Sequence, residues 1–134
     1  MKNWFLLVSL SIILSSCSKE PVDFKKEIVG KWETPSKDYF LAFSNEGFFG
    51  NEGITEPAHI YDKKYTFVQD SLIRCDYKFI FSTYRSDRSF SIKINSYNEE
   101  KKELVVHIKD FYKDKDYDLT FNKISDTIED SNWG

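Results

Sequence analysis

With 134 residues, the chain has room for one domain of ordinary size. Apolar residues make up 40% of it and aromatics 17%, enough for a packed core and too much for a disordered polymer. The formal net charge of −3 is spread over interspersed acids and bases, which argues against the clustered cationic face of a nucleic-acid binder.

Met1-Lys2 gives a short positive start, and Trp4 to Leu14 is apolar apart from Ser9 and Ser11. Ser15 and Ser16 then lead to Cys17. A basic start, an apolar run and small residues at its end are the layout of a secretory signal. The run falls well short of the roughly 20 residues a membrane-spanning helix needs. Leu14-Ser15-Ser16-Cys17 resembles the lipobox of bacterial lipoproteins. The resemblance implies a signal peptide over 1–16, an acylated Cys17 as mature N-terminus, and attachment to a membrane through that lipid, most simply the outer membrane of the cell envelope. Two or more acyl chains hold stably where one holds marginally. The rival reading is an ordinary cleaved signal with a chance cysteine. With Cys17 acylated, Cys75 has no disulfide partner, and its apolar neighbours suit a buried thiol.

Residues 17–27 are polar, contain Pro21 and read as a tether. Val29 to Thr34 predicts a first strand and Asp38 to Phe43 a second, followed by a Ser44-Asn45-Glu46-Gly47 turn. Gly50 to Ala58 predicts a loop; the wider stretch Gly47 to Tyr61, with exposed-prone Phe49, Ile54 and Tyr61, suits either binding or a long connection with no role. Tyr65 and Phe67 share a face, and Gln69-Asp70-Ser71 turns the chain. Ile73, Cys75, Tyr77, Phe79 and Phe81 then alternate with polar residues, the mark of a strand with one buried face. Ser86-Asp87-Arg88-Ser89 predicts a turn; Phe90, Ile92 and Ile94 alternate after it. A turn over Asn98 to Lys102 precedes Leu104, Val106 and Ile108, and after a polar Lys113 to Asp116 come Tyr117, Leu119 and Phe121. The tail, 125–134, is polar and acidic. About eight short strands joined by polar turns predict an all-β meander over 28–124. Closing it as a small antiparallel up-and-down barrel removes exposed edges; an open β-sandwich is the alternative.

Ile28-Val29-Gly30-Lys31-Trp32 resembles the Gly-X-Trp opening of lipocalins and fatty-acid-binding proteins. The Phe43 to Phe48 hairpin and the closing Tyr117 to Ile124 are similar to those of small bacterial lipocalin-like lipoproteins. That resemblance implies a lipocalin-like barrel with Gly30 and Trp32 as its structural motif. The arginine that lipocalins stack on the opening Trp is missing, and Lys123 is the nearest cation to replace it. No helix is expected after the barrel.

Two functions follow. The barrel mouth would bind a small apolar ligand, with Tyr65, Tyr77, Phe79 and Phe90 as wall residues. Alternatively, the inward rings, among them Tyr39, Phe43, Phe67, Phe81, Tyr117 and Phe121, fill a barrel barely wide enough for its own side chains, with Trp32 as an end plug. Loops would then contact another envelope protein. An enzyme is not expected: His107 faces outward, His59 sits at a loop edge, and no nucleophile elbow is present. Neither is a metal or other cofactor. Asp114, Asp116 and Asp118 open like a calcium loop, but Leu119 stands where its glycine belongs and Ser125 where its bidentate glutamate belongs.

Overall fold

The computed structural model describes residues 21–54 and 60–127. One short helix, α1 (Phe24–Glu27), precedes eight strands. These are β1 (Gly30–Glu33), β2 (Phe40–Phe43), β3 (Phe49–Glu52), β4 (Ile60–Gln69), β5 (Leu72–Phe81), β6 (Tyr84–Asn98), β7 (Glu103–Asp110) and β8 (Lys115–Ser125). All lie in one sheet of order β3-β2-β1-β8-β7-β6-β5-β4, with antiparallel pairings throughout. First and last strands join through Trp32↔Lys123 and Glu33↔Asn122. The remaining edges, β3 and β4, approach through the bridge Phe48↔Lys64 and a 2.9 Å bond from the Tyr65 N–H to the Gly47 carbonyl. The fold is a nearly closed up-and-down barrel, not the open sandwich. Closure pairs backbone groups that an open sheet would leave bare.

Alternation along each strand sets the core. Ile73, Cys75, Tyr77 and Phe79 of β5 point inward beside Phe90, Ile92 and Ile94 of β6, and Leu104, Val106 and Ile108 of β7 join them. Trp32, Phe43, Phe49, Phe90 and Phe121 are fully enclosed. Burying each such ring contributes about 1.5–3 kcal/mol. The rings meet edge to face: Phe43–Tyr65 at 5.0 Å, Phe49–Phe90 at 5.4 Å and Tyr39–Tyr117 at 5.8 Å between centroids. Their quadrupoles favour this arrangement over face-to-face stacking.

One end is sealed. α1 starts at Asp23, whose carboxylate accepts the Lys25 N–H, and packs Phe24 against Tyr97. Phe24 and Glu27, within the stretch 17–27 that the sequence suggests as a tether, thus have apolar and ionic partners on the barrel. Glu27 accepts from the Tyr97 hydroxyl (3.0 Å) and pairs with Lys102 (3.5 Å).

Four further positions depart from the sequence expectation. Residues 49–52, mostly assigned to a loop, form β3, because Phe49 faces Phe43 across the β2–β3 hairpin and packs on Phe90. Gly53, at φ 86°, turns the chain against Asp38 and Tyr39, and Ile54 is buried rather than exposed. Phe81, expected inward, is 59% exposed, because the β5–β6 hairpin runs past the barrel. That hairpin turns at Ser82-Thr83, between the Phe81↔Tyr84 pair, so residues 86–89 are strand and not turn. Tyr39, Tyr65 and Phe67 are half-buried. The side chain of Tyr61, and His59 with the rest of 55–59, lie outside the described residues, as do 1–20 and 128–134.

Candidate functional site

Of the four proposed wall residues, Tyr77, Phe79 and Phe90 line the interior and Tyr65 lies half-buried beside the seam. Each of them touches other rings. Tyr65 packs on Phe43 and Phe67, and its hydroxyl donates to the Ser44 carbonyl. Burial pushes its pKa up, with Cys75 adding to the rise. Phe90 lies between Phe49 and Tyr77 (6.3 Å), and Phe79 meets Tyr84 at 6.2 Å. Cys75 is fully enclosed, and desolvation, with Asp76 second, raises its thiol pKa well above the usual range. A thiol held neutral is a poor nucleophile.

Gly30 and Trp32 belong to the sealed end. Gly30 has φ 132°, and a Cβ there would lie 2.3 Å from the Ser125 carbonyl oxygen and 2.8 Å from Cε of Lys123. Only glycine lets β1 run this close to β8. Trp32 donates its indole N–H to the Ile28 carbonyl (2.8 Å), and Lys123 Nζ lies 5.3 Å from its ring centroid. Lys123 also donates to the Glu27 carbonyl (3.0 Å) and pairs with Asp126 (3.0 Å). Lys123, the nearest cation to replace the missing arginine, thus stands beside Trp32, and its contacts tie α1, β1 and β8 together.

The opposite end carries a different cluster. β7 stops at Asp110, opposite Phe90, while β6 and β5 continue outward. Arg88 of β6 shares the inward face with Phe90 and is only 8% exposed. Its guanidinium carbon lies 3.9 Å from the Phe79 ring centroid and 3.4 Å from that of Tyr112. Tyr112 is brought there by the β7–β8 turn, which buried Asp110 holds by accepting the N–H groups of Tyr112 (2.9 Å) and Lys113 (3.2 Å). Among the described residues no carboxylate forms a salt bridge with Arg88, and its Nε–H is buried without an acceptor. Ser86, and after it Arg88 and Tyr112, lower the pKa of the exposed Tyr84 phenol. Around this centre Phe81, Tyr84, Phe111 and Tyr112 are each at least half exposed. Sequence reasoning missed Arg88 by reading a turn. Its even-numbered parity with Phe90, Ile92 and Ile94 was the available signal.

A second feature is a cleft of about 660 Å³ at the β3–β4 seam, lined by Val29, Ser44, Phe48, Phe49, Lys63 and Thr127 among others. Burial lowers the Lys63 pKa. On the outer face of the barrel, His107 Nδ1 is 2.7 Å from Asp118 and its Nε2 is 3.5 Å from Asp116. The three aspartates of the calcium-like spacing lie along this turn and strand, and among the described residues no group of three or more His, Cys, Asp or Glu is placed to hold a metal ion.

No family model, no curated protein and no solved structure matches this chain.

Proposed function

We propose that the protein is a lipid-anchored, non-enzymatic protein of the bacterial cell envelope, with a lipocalin-like barrel that is filled and whose open end docks a partner protein. The carrying observation is the contrast between the two sets of rings. Inside, Phe43, Phe49 and Phe90 are sealed against one another, whereas Phe81, Tyr84, Phe111 and Tyr112 stand at least half exposed on two neighbouring hairpin tips. Grouped exposed aromatics mark interaction surfaces far more often than scattered ones do. Anchoring is supplied by Cys17, which lies outside the described residues. A photo-cross-linking residue placed at Tyr84 should yield a discrete adduct in intact cells. The same residue at Val68, exposed on the strand end away from these tips, should yield none. Equal labelling from both would sink the docking reading. Radiolabelled palmitate entering Cys17→Ser as well as the parent would sink the anchor.

A second reading, a carrier of a small apolar molecule, is favoured by the seam cleft. Its volume falls within the roughly 300–1,000 Å³ of small-molecule sites, and Phe48 and Phe49 offer apolar walls.

A further inference from the structure

We propose that the open end is a carboxylate receptor, in which the Arg88 guanidinium between Phe79 and Tyr112 grips a carboxylate that the docking partner presents. The inference rests on the docking reading above. Two ring centroids at 3.9 and 3.4 Å from one guanidinium carbon must sit on opposite faces of its plane. Both faces are therefore taken, and only the in-plane N–H edge remains for a ligand. Among the described residues the buried Nε–H of Arg88 has no acceptor. Arginine cannot shed its charge to relieve burial, so a guanidinium at this depth with no carboxylate partner among the described residues is a site awaiting an anion.

The shape of the slot selects the anion. A carboxylate is planar and takes two parallel N–H bonds from the guanidinium fork. A tetrahedral phosphate would drive oxygens above and below that plane, into the rings. Of the acids nearby, Asp110 accepts the N–H groups of Tyr112 and Lys113 and so builds the slot rather than filling it, while Asp62, Asp76 and Asp87 line a cleft that Arg88 borders and form no salt bridge with it. Phe81, Tyr84 and Phe111 around the opening would receive the apolar neighbours of the bound carboxylate. Two sources share this chemistry, the C-terminus of a partner chain and an Asp or Glu side chain.

The test follows the arginine Nε–Hε signals of the ¹⁵N-labelled protein. The Arg88 signal is identified by its loss in Arg88→Lys. Three probes are titrated: N-acetylphenylalanine, its primary amide, and N-acetyl-aspartyl-phenylalanine amide. At least one of the two acids should shift the Arg88 signal saturably, and the neutral amide should not. A response to the first acid alone assigns a chain terminus; a response to the aspartyl probe assigns a side chain. Arg88→Lys keeps the charge but lacks the fork, and should weaken acid binding about tenfold or more, read from the neighbouring backbone amides. Should that variant fail to fold, Tyr112→Ala removes one wall of the slot and should weaken the same binding. No shift with either acid at millimolar concentration, or an equal shift with the amide, overturns the proposal. A Tyr84 cross-link that persists unchanged in Arg88→Lys, together with silent acids, overturns the carboxylate and leaves the docking surface standing.

Discussion

Replacing Phe90 with alanine separates a filled barrel from a hollow one. Phe90 is fully enclosed and packs edge to face on Phe49 at 5.4 Å, with Tyr77 at 6.3 Å on another side. It pairs with Cys75 on β5 and Asp110 on β7, so closely packed strands flank it and leave little freedom to collapse. Truncating a phenylalanine in such a site costs about 3–5 kcal/mol, the lost transfer energy plus the cavity left behind. The two ring contacts place this position near the middle, about 4 kcal/mol. That is a large share of the roughly 5–15 kcal/mol that holds a typical domain together. Urea unfolding should show the midpoint fall at constant slope, and Tm should drop by roughly 20 °C. Phe81→Ala, at a ring 59% exposed, is the control and should stay within about 0.5 kcal/mol. A wall residue of a ligand chamber loses only one side of its contacts on truncation. A Phe90→Ala cost below about 1.5 kcal/mol would therefore refute the packed interior.

Gly30→Ala should destabilise by about 2–4 kcal/mol, because it adds a disfavoured positive φ to a clash with the backbone of β8; chemical denaturation reads this, and a neutral result would mean β1 and β8 lie further apart. The His107 pKa is raised, chiefly by its hydrogen bond to Asp118, with Asp116 adding to it. Its contribution to stability is therefore present below the unfolded value of 6.5 and fades as pH rises through the folded pKa. NMR titration should show the His107 pKa falling in Asp118→Asn, and an unchanged value would contradict the pairing. The enclosed, desolvated Cys75 should resist iodoacetamide in the native protein and react once urea unfolds it.

The barrel was legible because most of its strands bury one face, and period-2 alternation records that directly: Ile73, Cys75, Tyr77 and Phe79 on β5, Leu104, Val106 and Ile108 on β7. Gly30 and Trp32 were singled out through a resemblance, and the 5.3 Å between Lys123 Nζ and the Trp32 ring is a contact that periodicity does not display. The misses have separate causes. Phe81 and Arg88 obey the alternation, but where a hairpin outgrows its barrel the inward face no longer guarantees burial, and it buried the arginine while leaving the phenylalanine largely exposed. Phe49 and Ile54 lie in a glycine-rich stretch whose composition suggests a loop, yet Gly53 serves to turn the chain inward. α1 is a single turn held by contacts with Tyr97 and Lys102, about seventy residues away, which no local pattern encodes. The open-end cluster joins β5, β6 and the β7–β8 turn, so its meaning depends on a register that the sequence does not display.

Native mass spectrometry on the Cys17→Ser protein, purified without detergent, tests the filled barrel most directly. The account predicts the bare polypeptide mass and no thermal shift with fatty acids or other lipids. A reproducible added mass that disappears on denaturation would contradict it and turn attention to the cleft beside Phe48 and Lys63.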